Sequence, residues 1–169
     1  KDQIEVWTDE SENNQITKRA YESLYYKFDG IGFHDGTKKQ IININIDSGD
    51  VQLITDGRHH IKEFAVSPDG KQIAYIAVDR ENDTPLYNGT LYELDLDSGQ
   101  VRQLFNESIA SKPNYSPHGD MVAFIAGGLH KRLYTLSLSD QKVTCLNPNY
   151  PDSLSDSIYT DMSFRDSSW

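Results

Sequence analysis

The chain contains a single cysteine, Cys145, in 169 residues. That excludes an internal disulfide and any zinc site built on cysteines, and a reducing cytoplasm is the expected location. Basic residues are also in deficit, with 16 Lys and Arg against 26 Asp and Glu and a net charge of −10. Such a field repels phosphate backbones and anionic lipid, so no nucleic-acid or membrane partner is expected. Long apolar runs are missing too. The longest, residues 73–78 and 121–126, are six residues each, far short of a bilayer span but the length of a buried strand. No glycine is followed two positions later by serine, so the strained Gly-x-Ser-x-Gly turn that presents a hydrolase nucleophile is absent. Neither 3.6-residue periodicity nor β–α alternation is visible. The chain opens at Lys1 with no initiator Met or leader, and it reads as a fragment.

What the sequence does have is an internal repeat. Ile41-Ile42-Asn43-Ile44-Asn45-Ile46-Asp47-Ser48-Gly49 returns as Leu91-Tyr92-Glu93-Leu94-Asp95-Leu96-Asp97-Ser98-Gly99, 50 residues on. Ser67-Pro68-Asp69-Gly70, followed by Ile73-Ala74-Tyr75-Ile76, returns after 49 residues as Ser116-Pro117-His118-Gly119, followed by Val122-Ala123-Phe124-Ile125. A weaker third copy of the first motif begins at Leu133, an offset of 42 explained by a shorter loop at 127–132 than at 79–89.

Each repeat resolves into four strands. Residues 63–66 enter the Ser-Pro turn, where proline presets φ and Gly70 accepts a positive φ. Residues 71–78 form the buried strand, rich in β-branched and aromatic types. Residues 90–96 alternate, with Glu93 and Asp95 marking a wetter face, and 100–104 form the outer strand after the Asp97-Ser98-Gly99 turn. Four antiparallel strands repeating at about 50 residues predict an all-β fold, a partial β-propeller of four-stranded blades. Residues 62–105 and 112–146 read as two complete blades. Residues 1–61 read as an N-terminal extension with the outer part of one blade, whose inner hairpin is not recognisable. Residues 147–169 read as a linker and the first strand of the next blade, because Trp169 stands where Val66 and Tyr115 stand before their turns. Exposed blade flanks predict self-association.

The Ser-Pro-Asp-Gly pattern resembles propeller repeats of TolB-type proteins and of the prolyl-oligopeptidase family. Tyr26-Lys27-Phe28-Asp29-Gly30-Ile31-Gly32-Phe33-His34-Asp35, followed by the Ile41 motif and Leu53-Ile54-Thr55-Asp56-Gly57, is similar to the N-terminal propeller of bacterial acylaminoacyl-peptidase-like members of that family. The resemblance implies a propeller of roughly six to eight blades covering a C-terminal α/β-hydrolase domain that this chain lacks. It also implies short or N-acylated peptides as substrates, admitted by the propeller according to size. The alternative is a stand-alone TolB-like module that binds proteins or peptides.

Other constellations give way to structural readings. Gly30 to Gly36 misses a dinucleotide fingerprint at Asp35 and sits in no βαβ unit. His59 and His60 are adjacent on an extended segment and point to opposite faces, which makes a shared metal unfavourable, with His34, His118 and His130 scattered elsewhere. A propeller lyase with histidine-bound metal is therefore the third reading only. Asp79, Glu81 and Asp83 lack the glycine and distal Glu of a calcium loop. Asp69 is a turn former whose place His118 takes in the next copy. Tyr75, Tyr92, Phe124 and Tyr134 recur at equivalent positions and are expected to pack between blades, whereas Tyr25, Tyr26 and Phe28 break the repeat. No catalytic, cofactor-binding or metal-ligating residue is assigned.

Overall fold

The computed structural model describes residues 37–78, 89–128 and 130–154, together with the backbones of four earlier strands. Those four form two hairpins, β1 (Ile4–Asp9) with β2 (Ile16–Tyr21) and β3 (Lys27–Phe28) with β4 (Gly32–Phe33). The chain divides into two compact units, with these hairpins in one and all later strands in the other. The β3–β4 hairpin falls in a stretch where the sequence shows no legible inner hairpin. Its glycines interrupt the apolar alternation that would announce one.

The second unit begins with a two-stranded ribbon, β5 (Ile42–Ile44) against β6 (Val51–Leu53). Two four-stranded antiparallel sheets follow. Blade I comprises β7 (His60–Val66), β8 (Gln72–Val78), β9 (Thr90–Asp95) and β10 (Val101–Phe105), hydrogen-bonded in chain order. Blade II repeats the order with β11 (Ala110–Tyr115), β12 (Met121–Ala126), β13 (Arg132–Ser137) and β14 (Val143–Cys145). No helix occurs among the described residues.

The repeated turns are built alike. Gly70 N–H donates to the Ser67 carbonyl at 2.9 Å and Ser67 N–H to the Gln72 carbonyl at 2.8 Å, with Gly70 at φ 73°. Gly119 and Ser116 repeat the pattern, with Gly119 at φ 75°. This is a turn followed by a left-handed residue, a geometry that glycine reaches without steric cost.

Blades pack face to face, and the alternation of each strand divides between two neighbours. Ile73, Tyr75, Ala77 and Leu94 on one face of blade I join Ile41 and Ile61 in one core. Ala74, Ile76, Leu91 and Phe105 on the other face join Val122, Phe124, Ala126 and Leu136 of blade II in a second. The recurrent aromatics sit at these contacts. Tyr75 stacks on Tyr92 at 5.5 Å and Phe124 on Tyr134 at 5.7 Å, while Phe105 of blade I meets Phe124 of blade II at 4.9 Å. The wetter face expected of 90–96 is not wet. Glu93 is only 5% exposed, because a stacked blade covers both faces of its neighbour's middle strands. Main-chain bonds also cross between blades, from Ala110 N–H to the Gly89 carbonyl at 3.0 Å and from Lys112 N–H to the Glu63 carboxylate. A Cβ on Gly89 would lie 2.7 Å from the Ala110 carbonyl oxygen, so this crossing needs glycine.

Candidate functional site

Polar side chains that the sequence brings forward are mostly used to shape turns. Asp69 accepts from the Ser67 hydroxyl at 2.7 Å and from Lys71 N–H at 3.1 Å. The Ser67 hydroxyl, Lys71 N–H and the Lys71 charge together hold its carboxyl below the ordinary range. His118 occupies the matching place in blade II, yet the carboxylate is not lost there. Asp120 supplies it from two residues further on, accepting from the Ser116 hydroxyl at 2.6 Å. The outer turns use the same device, with Asp95 Oδ1 accepting from Ser98 N–H at 2.8 Å and Asn45 Oδ1 from Ser48 N–H at 3.1 Å.

The histidines separate as expected. The His59 ring stacks on Tyr92 at 5.9 Å, whereas His60 Nδ1 accepts from Lys39 N–H at 3.2 Å. Among the described residues no three His, Cys, Asp or Glu side chains converge. Gly30, Gly36, His34, Tyr25, Tyr26, Asp79, Glu81, Asp83 and Trp169 lie outside the described residues, and the side chain of Phe28 does too.

Two polar sites lie on the faces of blade I. The first centres on Glu93, whose carboxylate accepts from Arg102 Nε at 2.5 Å and from the Tyr115 hydroxyl of blade II at 3.0 Å, with Arg102 Nη2 also in contact. Burial, followed by the Glu93 charge, pushes the Tyr115 phenol well above its usual range, so it stays a donor. Every partner here is satisfied, which makes the cluster a tie between blades. The adjoining cleft, about 450 Å³ and lined by Gln72, Asp95 and Gln100, is a polar surface groove.

The second site is a recess of about 220 Å³ on the opposite face of blade I, between β9 and the segment leading from β6 into β7. Tyr75 and Tyr92 line it together with the apolar Ile54, Ile61 and Leu94, and the exposed Asp56 and Arg58 stand at its rim. Asp56 is held by Arg58, through Nε to Oδ2 at 2.8 Å and main-chain N–H to Oδ1 at 3.0 Å. Gln40 clasps the rim, accepting from the Thr55 hydroxyl at 2.6 Å and donating to the His59 carbonyl at 2.7 Å. Tyr75 is 5% exposed, and among the described residues its hydroxyl makes no hydrogen bond. Burial, then the neighbouring Tyr92 and Asp56, raise its pKa to about 12. A buried hydroxyl without a partner costs about 1–3 kcal/mol, so it marks this recess as incomplete. The sequence reads Tyr75 and Tyr92 as packing residues, which their rings are. Their hydroxyls carry the extra information, and no periodicity reports on those.

Apolar surface remains where blade faces lack a partner. Phe64 and Val66 on β7 are 54% and 49% exposed, although their blade II counterparts, Pro113 and Tyr115, are covered by blade I. Ile42, Ile44, Val51 and Leu53 share one exposed face of the β5–β6 ribbon.

No family model and no curated protein matches the chain. Solved structures do match. The chain is similar to TolB from Acinetobacter baumannii at 24% identity and TM-score 0.53, over 69% of this chain and 28% of that one. It is similar to an oligogalacturonate lyase from Vibrio parahaemolyticus at 16% identity and TM-score 0.52, over 62% and 34%. It is also similar to a prolyl endopeptidase at 17% identity and TM-score 0.50, over 68% and 20%. The chain thus spans 20–34% of the length of each. At these identities the likeness shows the fold, a partial β-propeller of four-stranded antiparallel blades.

Proposed function

We propose that this chain is a non-catalytic propeller segment of a serine peptidase, gating and positioning short or N-acylated peptides over a separate C-terminal α/β-hydrolase domain. The observation that carries the reading is a coincidence in one chain. Blades of the kind found in a prolyl endopeptidase occur with the Tyr26-Lys27-Phe28-Asp29-Gly30-Ile31-Gly32-Phe33-His34-Asp35 segment, which resembles the peptidase propellers. The turn carboxylates and the Glu93 tie suit a scaffold, because their hydrogen bonds are spent on holding blades in place. A gate requires only that rigidity, with chemistry supplied elsewhere.

The test is made on the parent protein with its downstream sequence included. A fluorophosphonate probe should label one serine beyond the propeller, and the labelled protein should lose hydrolysis of an N-acetylated peptide. A parent that resists the probe and carries no Gly-x-Ser-x-Gly segment after the propeller refutes the reading. The 24% identity to TolB, above that to the prolyl endopeptidase, favours a second reading, a binding module for proteins or peptides. A parent chain that ends with the propeller and binds a protein partner would establish that alternative.

A further inference from the structure

Tyr75 and Tyr92 are cross-strand partners on β8 and β9, so both side chains leave the same face of blade I. Their rings stack at 5.5 Å, and both line the recess of about 220 Å³. Among the described residues neither hydroxyl makes a hydrogen bond, although Tyr75 is 5% exposed. The recess therefore offers two phenol donors with unused capacity and, at its rim, the Asp56 carboxylate as an acceptor. The Asp56–Arg58 pair at the rim, 2.8 Å apart, carries no net charge, so a carboxylate or an amine would lose its hydration there without gaining a counter-charge. The remaining match is a neutral group with one acceptor and one donor beside an apolar body. At about 220 Å³ the space lies below the 300–1,000 Å³ of whole-ligand sites, so it suits one residue and no more.

We propose that this recess is a binding subsite for the amide of a single peptide residue. The carbonyl oxygen accepts from the Tyr75 and Tyr92 hydroxyls, the N–H faces Asp56, and the apolar side chain rests on Leu94 and Ile54. The subsite belongs to the propeller itself and needs no hydrolase domain, so its success or failure is separable from the peptidase reading.

The test uses the 169-residue chain and N-acetyl-leucine amide as the probe, followed by amide shifts in ¹H–¹⁵N spectra. Saturable shifts at Asp56, Tyr75 and Tyr92 are expected, with a dissociation constant on the order of millimolar for so small a ligand. Tyr75→Phe should weaken binding about five- to tenfold while leaving thermal stability unchanged or higher, because its hydroxyl holds no partner in the free chain. Tyr92→Phe should weaken it similarly, and N-acetyl-leucine, bearing a carboxylate, should bind at least about fivefold more weakly. Shifts that fail to saturate, equal affinity in Tyr75→Phe, or a clear loss of stability in that variant would each overturn the proposal. In the first case, the recess holds only water.

Discussion

Removing the Glu93 charge tests the tie between blades most sharply. Glu93→Gln keeps the shape and one carbonyl-type acceptor but deletes the charge that Arg102 and Tyr115 share. Hydrogen bonds to charged groups contribute about 1.5–3 kcal/mol each. Arg102 keeps 44% of its side chain in solvent, so its share is discounted for screening, and a loss of about 2 kcal/mol is expected overall. Tyr115→Phe leaves the ring packing intact and removes one donor, for about 1–1.5 kcal/mol. These effects should not add, since the Tyr115 hydroxyl, at 3.0 Å from Glu93, loses most of its value once the carboxylate is gone. A double-mutant cycle in equilibrium urea unfolding should give a coupling of about 1 kcal/mol. Additivity within about 0.3 kcal/mol would mean that blades I and II do not meet at Glu93, and the packing described would be wrong.

Phe124, fully buried beside Phe105 and Tyr134, should cost about 3–5 kcal/mol as Phe124→Ala, measured by the same unfolding experiment. Gln141 stands at φ 55° in the outer turn of blade II, where blade I has Gly99 at φ 70°, so Gln141→Gly should raise stability by up to about 1 kcal/mol. Asp69, Asp95, Asp120 and Asp140 all have folded-state pKa values lowered by local hydrogen bonds. Their stabilisation is therefore complete above pH 3.8 and lost as pH falls through the folded values, and Asp69→Asn with Asp120→Asn should flatten that acid limb of the melting temperature. Tyr75 has the opposite sign. Raised from 10.0 to about 12 by burial, it makes the folded state progressively costlier as pH rises from 10 to 12, so Tyr75→Phe should shallow the alkaline limb.

Much of this architecture was legible because it rests on local rules. The Ser-Pro turns, the β-branched run at 73–78 and the alternation at 90–96 each announce their own conformation, and the repeat multiplies the signal. Burial was less legible. Glu93 looks like a solvent-facing position because alternation along one strand does not say whether a second blade covers the polar side. The turn carboxylate of blade II was hidden by its shift from the Asp69 position to Asp120, a change that only the Ser116 hydroxyl bond makes plain. The recess was invisible for a related reason. Tyr75 and Tyr92 satisfy a packing rule with their rings, and the fate of a hydroxyl depends on neighbours brought in from Asp56 and Gln40, far away in sequence.

Blades I and II stack face to face, with Phe105 of the first against Phe124 of the second. Nuclear Overhauser contacts between these two rings, in a chain carrying labelled phenylalanine, measure this stacking directly. At a centroid separation of 4.9 Å strong cross-peaks are predicted, accompanied by slow exchange of the Ala110 amide that donates to Gly89. Absent ring contacts with a rapidly exchanging Ala110 amide would show that the blades do not stack.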